Sequence, residues 1–307
     1  MQLKPLSTHK DISRFLQQQP NIILAQMLPF SIYRGYLSIV GMYYYGINRE
    51  ERKRVSKSLR YVFGDKLDKK YFQHILIRTY FGILEHYFEK MINAHKSLPE
   101  MIAFLNNRIL FSGRNLMDQI ISEDRGCILV TGHFGAVEYI PLYLASNHYR
   151  PSMILRFKTK ELKKALVDKS DSVDLELIDA DSPNAIVKAL NAIKEKRILI
   201  TLCDEIQSWR PCRREKAQIF GHHIPKDRTL DILYKRAKAP LCFGIAQRKS
   251  TGCDLSIHPI TNGHEKYSVC EASWNLLERY VYRNPEQWYQ WSTFYSEFTK
   301  YISGMEC

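Results

Sequence analysis

The chain has 307 residues, of which 45 are lysine or arginine and 32 are aspartate or glutamate, so its formal net charge is +13. This length gives room for a large buried core. The seven cysteines are odd in number and form no CxxC pair, which disfavours a disulfide framework and a structural zinc site. The positive charge favours a polyanionic partner, either a nucleic acid or the anionic surface of a membrane.

The N-terminal third is predicted to be helical. Residues 22–47 are apolar and rich in tyrosine, with one charge at Arg34 and one proline at Pro29. The pattern is consistent with a buried helix pair, with helices lying in a membrane interface, or with a membrane span, although the uninterrupted apolar runs are shorter than the roughly 20 residues that a span needs.

A basic run and a long amphipathic segment follow. Basic side chains crowd residues 49–60, and residues 71–95 have apolar side chains at helical spacing. A charge run is ordinarily a solvated helix face, but beside an aromatic apolar segment it is typical of contact with an anionic membrane. We therefore predict that residues 1–100 form a helical region that associates peripherally or monotopically with a membrane.

After residue 125 the pattern changes to alternating strands and helices. Buried strands are predicted at 126–132, 152–157, 175–179, 197–204, 241–248 and 254–260, and helices at 134–146, 183–195, 227–238 and 265–283. This alternation predicts an α/β fold in which a central mixed sheet is flanked by helices. Residues 101–307 are therefore predicted to form an α/β core.

The strongest chemical signal lies at the end of the first of these strands. The segment His133-Phe134-Gly135-Ala136-Val137-Glu138 places a histidine on the turn before a helix and a carboxylate five residues later. Such a pair can fix the imidazole tautomer while the other ring nitrogen takes a proton from an alcohol. A helix N-terminus close to His133 would keep the ring neutral. Taken alone, a histidine and a glutamate five residues apart are weak evidence, because such residues are more often ordinary polar side chains.

The segment HFGAVE is similar to the HX4D/E motif of the glycerolipid acyltransferase superfamily. Within it, the chain resembles the bacterial lipid A biosynthesis (lauroyl/myristoyl) acyltransferases along nearly its whole length. Arg156 stands where that family has an arginine at the end of the next strand, and Asp204 matches the acidic residue that closes a later strand. Phe220-Gly221 and the segment 284–288 (NPEQW) match two further blocks.

The resemblance implies transfer of a fatty acyl group from an acyl thioester, on acyl carrier protein or coenzyme A, to a hydroxyl of a membrane lipid or glycolipid. His133 would be the general base and Glu138 would orient it. Arg156 would bind a phosphate or the oxyanion, and Asp204 would tune His133 or contact substrate. Gly135, Phe220 and Gly221 would contribute to substrate binding. The implied location is the cytoplasmic face of the bacterial inner membrane, and the implied chemistry needs no cofactor.

Several alternatives stay open at this point. Arg156 could form a surface salt bridge, and Asp204 could cap a helix. The acceptor could be lipid A-like or another lipid, because Gly135-Ala136-Val137 stands where the family usually has Gly-Asn-Trp. A non-catalytic lipid-binding protein of the same fold is one rival. A nucleic-acid-binding protein is a weaker one, because no nucleic-acid motif is present. A metal site at His222 and His223 is not expected, because no carboxylate lies at ligand spacing.

Overall fold

The computed structural model describes residues 12–64, 68–157, 159–260 and 268–302. The N-terminal third is helical, as predicted. Its helices are α1 (Ile12–Leu16), α2 (Gln19–Met27), α3 (Phe30–Ile47), α4 (Arg49–Phe63), α5 (Lys69–His95) and α6 (Leu98–Arg108). The Asn48 side chain caps α4 and the Asp68 carboxylate caps α5, because each accepts hydrogen bonds from backbone N–H groups of the first helical turn.

The rest of the chain alternates strands and helices. The strands are β1 (Ile109–Leu110), β2 (Cys127–Thr131), β3 (Pro151–Leu155), β4 (Glu176–Asp179), β5 (Ile198–Leu202), β6 (Pro211–Ile219), β7 (His222–Asp227), β8 (Leu241–Lys249) and β9 (Gly252–Pro259). The helices are α7 (Arg114–Ser122), α8 (Ile140–Ser146), α9 (Lys160–Ser170), α10 (Ala185–Lys194), α11 (Thr229–Ala237), α12 (Val269–Arg283) and α13 (Trp291–Ile302). Short 3₁₀ turns lie at Val137–Tyr139, Ile206–Ser208 and Pro285–Gln287.

A seven-stranded sheet in the order β1-β9-β8-β2-β5-β3-β4 forms the centre of the molecule. Only the β8–β9 pair is antiparallel within this sheet, so the predicted mixed α/β sheet with flanking helices is confirmed. The strands β2 and β5 lie side by side, and every residue of β2 is buried. Parallel neighbours of this kind end at the same edge of the sheet, which is where polar side chains can converge.

The predicted strands of the sheet agree with the observed ones to within two residues at each end. Sequence patterns did not reveal the two-residue strand β1 or the hairpin of β6 and β7. The helix predicted over residues 134–146 begins later, because residues 132–136 are irregular and a 3₁₀ turn precedes α8. The predicted start of the last long helix, at residue 265, lies outside the described residues.

The apolar segment 22–47 forms two helices that Pro29 separates. The inner face of α3 buries Tyr33, Leu37 and Tyr45. On its outer face Ile39 is 66% exposed and Tyr43 is 70% exposed. No helix within the described parts of the chain is long and apolar enough to cross a membrane.

One buried apolar cluster runs from Ile12 in α1 to Phe298 in α13. It therefore includes side chains from both predicted regions, the N-terminal helices and the α/β core. The long helix α5 of the N-terminal region packs against the 3₁₀ turns at Val137–Tyr139 and Pro285–Gln287. The division into residues 1–100 and 101–307 stays a prediction.

Candidate active site

Two neighbouring parallel strands bring a histidine and an aspartate together. Thr131 at the end of β2 and Leu202 at the end of β5 are partners in the sheet register. His133 and Asp204 follow two residues after these strand ends. The backbone N–H of Cys203 donates to the Thr131 carbonyl at 2.8 Å, which fixes the two loops relative to each other.

The carboxylate of Asp204 is fully buried and has three nitrogen atoms at hydrogen-bond distance. The backbone N–H of His133 donates to Oδ2 at 2.9 Å, and the indole N–H of Trp288 donates to the same oxygen at 2.7 Å. The Nδ1 atom of His133 lies 2.8 Å from Oδ1. A buried carboxylate is tolerated only when such partners offset the loss of its hydration. The same contacts fix the position of the Asp204 carboxylate and the orientation of the His133 imidazole.

The segment from 285 to 290 holds the histidine loop from the other side. The backbone N–H of Tyr289 donates to the His133 carbonyl at 3.2 Å, and the N–H of Gly135 donates to the Gln287 carbonyl at 2.8 Å. The side-chain amide nitrogen of Gln290 lies 2.9 Å from Nδ1 of His133. These contacts give a structural reason for the NPEQW block, which the sequence offered only as a resemblance.

Gly135 serves the same loop through its backbone. Its φ of +58° lies in the left-handed region, and a β-carbon there would stand 2.0 Å from the carbonyl oxygen of Ala246 in β8. Only glycine fits both conditions. We expected Gly135 to contribute to substrate binding, whereas the structure places it in a buried backbone contact that shapes the histidine loop.

The Nε2 atom of His133 faces a second carboxylate, Glu205, at 3.0 Å. Burial alone would lower the His133 pKa, but the charges of Asp204 and Glu205 outweigh it and raise that pKa to about 10. The expectation of a neutral resting ring is therefore wrong. No helix begins at His133, since the 3₁₀ turn starts at Val137, and the two carboxylates favour the imidazolium.

Glu138 does not take the position expected of it. We predicted that its carboxylate would orient His133, but Asp204 occupies that role at Nδ1. Because the chain turns at Gly135 before any helix forms, Glu138 projects toward α5. There its Oε1 lies 3.7 Å from Nε2 of His86, and its carbonyl accepts a hydrogen bond from Asn93 at 3.0 Å.

His86 connects this second pair to the first through an aromatic ring. Its imidazole stacks on Tyr289 with ring centroids 3.5 Å apart and an interplanar angle of 11°. The Tyr289 ring in turn meets the His133 ring edge-on at 5.0 Å. Glu138 and His86 therefore form a contiguous chain of contacts with His133, although Glu138 does not touch it.

A pocket of about 550 Å³ opens at this edge of the sheet. His133, Asp204, Glu205 and Glu138 are among the many polar side chains that line it. Apolar side chains from β3 to β5 and from α9 line it as well, and they include Met153, Leu155, Leu162, Leu166, Leu175, Leu177 and Leu202. The pocket can therefore hold a molecule with a reactive polar group and a long apolar part.

The remaining predicted site residues lie at different distances from the pocket. Arg156 lines it, is 40% exposed, and forms an ion pair with Asp181 at 2.9 Å. Phe220 instead packs against the Trp288 ring at 5.5 Å and so supports the indole that binds Asp204. Gly221 is exposed on the turn between β6 and β7. Neither Phe220 nor Gly221 is among the described residues that line the pocket.

Sequence reasoning missed several other residues around His133. Glu205 directly follows Asp204, and that adjacency was the available signal. Gln290 lies just beyond the NPEQW block, and nothing in the sequence pattern singles it out. His86 lies at an ordinary position on an amphipathic helix, so only the fold reveals its place. His222, considered above as a ligand, stacks on the Tyr61 ring at 4.2 Å.

A mixed α/β sheet with a carboxylate-held histidine at its edge, beside a pocket lined by both polar and apolar side chains, is an arrangement suited to enzymes that act on molecules with a polar group and an apolar part. The family model described as bacterial lipid A biosynthesis acyltransferase matches residues 18–292. The chain belongs to this family and is an acyltransferase that acts on lipids.

One solved structure to which the chain is similar is the crystal structure of the 1-acyl-sn-glycerophosphate (LPA) acyltransferase PlsC from Thermotoga maritima. The two are 14% identical and superpose with a TM-score of 0.39, over 85% of this chain and 99% of that one. A comparison with curated protein sequences finds no match.

Proposed function

We propose that this protein transfers a fatty acyl group from an acyl thioester to a hydroxyl of a membrane lipid or glycolipid. The acyl donor would be carried by acyl carrier protein or coenzyme A, and the acceptor class includes lipid A-like molecules. The observation that carries the proposal is the position of His133. Its Nδ1 is held by a buried carboxylate, while the histidine lines a pocket to which several leucines also contribute.

The reaction then needs no covalent enzyme intermediate. Once the His133 ring has lost its Nε2 proton, Nε2 takes the proton of the acceptor hydroxyl while the oxygen attacks the thioester carbonyl. The tetrahedral adduct collapses, the carbon–sulfur bond breaks, and the imidazolium returns its proton to the departing thiolate. Asp204 keeps the Nδ1 proton in place throughout and stabilises the imidazolium as it forms.

Arg156 and Glu138 complete the proposed site. Arg156 stands on the pocket wall with its guanidinium partly exposed, where it can meet the phosphate of a donor or acceptor or the developing oxyanion. Glu138 acts through His86, whose ring supports Tyr289 against His133. Within this proposal Glu138 is a positioning residue.

We also propose that the N-terminal helices attach the protein to the cytoplasmic face of the bacterial inner membrane. Large apolar side chains stand exposed along α2 and α3 and include Ile23, Met27, Ile32, Ile39, Met42, Tyr43 and Ile47. The basic helix α4 follows directly, and its Lys53 side chain is 73% exposed. An apolar face beside a basic one is the arrangement that binds anionic membrane surfaces.

The direct test is transfer itself. The full-length protein is incubated with a total bacterial lipid extract and an acyl thioester that carries an isotopic label, and the lipids are analysed by mass spectrometry. We expect a labelled lipid whose mass exceeds that of its precursor by one acyl group. Absence of any labelled lipid with both acyl carrier protein and coenzyme A thioesters would refute the proposed function.

A further inference from the structure

The ring nitrogen of His133 that would take the acceptor proton, Nε2, already has a carboxylate beside it. Asp204 holds Nδ1, so Nε2 is the ring nitrogen left for an acceptor hydroxyl, and Glu205 Oε1 lies 3.0 Å from it. The two carboxylates differ in their surroundings, because the Asp204 side chain is fully buried whereas the Glu205 side chain is 39% exposed. Glu205 can therefore move into solvent, and Asp204 cannot.

We propose that Glu205 holds Nε2 of His133 until an acceptor hydroxyl displaces it, and that Glu205 thereby selects a lipid hydroxyl over water. The inference rests on the proposed acyl transfer and deepens it, because it assigns to one residue the control of which nucleophile the base activates.

Competition for Nε2 follows from the chemistry of the ring. Nε2 carries either a proton or a lone pair, so while it donates its proton to Glu205 it cannot accept a proton from a hydroxyl. With a carboxylate oxygen beside each ring nitrogen, both nitrogens are protonated, and the two charges raise the pKa of His133 in the same sense. The enzyme with Glu205 at Nε2 is therefore inactive toward any nucleophile.

Release of Glu205 converts the ring to a base. The Nε2 proton passes to the Glu205 carboxylate, which turns toward solvent and gives the proton to water. With one carboxylate fewer beside the ring, the imidazolium is less stabilised, so the pKa of His133 falls. The acceptor hydroxyl then donates to Nε2, and its proton is transferred as the thioester is attacked.

A lipid acceptor can drive this exchange, whereas water cannot. The non-reacting parts of a lipid contact the pocket walls, and that binding energy can offset the cost of removing Glu205 from the ring. A water molecule makes no such remote contacts. While the acceptor is absent, Glu205 therefore keeps the base from activating water and protects the bound thioester from hydrolysis.

Other charged and titratable groups surround the same pocket. The acidic and neutral groups besides Asp204 include His86 of α5, Glu138 of the 3₁₀ turn, Tyr289, Glu51 of α4 and Glu297 of α13. The cations that line the pocket are Arg14 of α1, Arg54 of α4, Lys90 of α5, Arg156 after β3 and Lys169 of α9. Glu138 faces His86, and Glu297 forms an ion pair with Lys300 at 3.0 Å. Glu205 and Asp204 are the carboxylates whose charge raises the pKa of His133, so replacing Glu205 alone isolates its contribution.

The test compares the full-length protein with its Glu205→Gln and Glu205→Ala variants. Thiol release from an acyl thioester without acceptor measures hydrolysis, and kcat/KM for transfer is measured from pH 5 to 10. We expect the acid limb of the transfer profile to move to lower pH by about one to three units. Acceptor-independent hydrolysis should rise about tenfold for each unit by which the His133 pKa falls. The matched control is Glu123→Gln, which removes an exposed carboxylate that pairs with Arg125.

Two results would overturn the inference. Unchanged hydrolysis and an unchanged acid limb would show that Glu205 does not hold the base. Loss of both hydrolysis and transfer would show that Glu205 takes part in the chemistry itself. An NMR titration of His133 in the wild type and in Glu205→Gln needs no activity, so it decides the matter even if transfer is not found. A lower His133 pKa in the variant is expected, and an equal pKa would refute the inference.

Discussion

At the scale of single residues, the site depends on which carboxylate meets His133. Asp204 binds Nδ1 at 2.8 Å and receives hydrogen bonds from the His133 backbone and from Trp288. Glu138, at the expected motif spacing, lies instead beside His86. Asp204 is therefore the group that fixes the imidazole, and Glu138 supports the ring indirectly.

This difference predicts separate outcomes for two variants. Asp204→Asn should lower the pKa of His133 by about one to three units, because a charge in direct contact is lost. Glu138→Gln should leave that pKa close to the wild-type value while it still slows transfer. NMR titration of the His133 ring, together with kcat for both variants, makes the comparison. A larger pKa change in Glu138→Gln than in Asp204→Asn would contradict the assignment.

The sequence anticipated part of this site and not the rest. Strand-end positions placed His133 and Asp204 at one edge of a sheet, because parallel strands finish together. The partner of Glu138 was not predictable, since it depends on the irregular turn at Gly135 and on where α5 crosses the sheet. The contact between Trp288 and Asp204 joins residues 84 positions apart, and no local pattern reports it.

At the scale of elements, α5 and the Pro285–Gln287 turn hold the site together. Gly82 of α5 lies so close to this turn that a β-carbon there would stand 1.6 Å from the Glu286 carbonyl oxygen. The turn is tied to β8 as well, because the Gln287 side chain exchanges hydrogen bonds with the Arg248 backbone at 2.8 and 3.0 Å. Arg248 also binds Glu89 of α5 through two contacts, at 2.6 and 2.9 Å.

The close approach of α5 predicts opposite effects of one substitution at two helical glycines. Gly82→Ala should lower the free energy of unfolding by about 1–3 kcal/mol, because the added methyl displaces the Glu286 carbonyl. Gly35→Ala on α3, where no atom lies within 4 Å of an added β-carbon, should instead raise it by about 0.5–1 kcal/mol. Urea denaturation measures both values. Stabilisation by Gly82→Ala would show that the contact is looser than described.

Elements were the most predictable level of this fold. The strands β2, β5 and β8 were recognisable because each is a short apolar run bounded by turn residues. The hairpin of β6 and β7 was not, because residues 211–219 carry several charges and show no clear apolar alternation. The 3₁₀ turn at Val137–Tyr139 was predicted to be part of an α-helix. It packs against α5 and β8, and these contacts between distant parts of the chain are not visible in the local sequence.

At the scale of the whole molecule, the exposed apolar face of α2 and α3 is the surface proposed to meet a membrane. The double variant Ile39→Glu/Met42→Glu places charges on this face at residues that are 66% and 54% exposed. Binding to anionic liposomes, measured by co-sedimentation, should weaken about tenfold or more, since each buried apolar side chain contributes about 1.5–3 kcal/mol.

The control for this experiment is Val187→Glu on α10, another apolar residue that is 57% exposed. Its liposome binding should equal that of the wild type, because α10 lies outside the N-terminal helices. Equal weakening by the control, or unchanged binding of the double variant, would place the membrane contact elsewhere on the molecule.

His133 is proposed to be the base of an acyl transfer to lipid. The most direct measurement is the rate of labelled acyl transfer by His133→Ala beside that of the wild type, with circular dichroism to establish that the variant is folded. The account predicts a rate lower by about 10²–10⁴-fold in a folded variant, because the group that takes the hydroxyl proton is gone. A folded His133→Ala protein that transfers acyl groups at a rate close to the wild-type rate would contradict it.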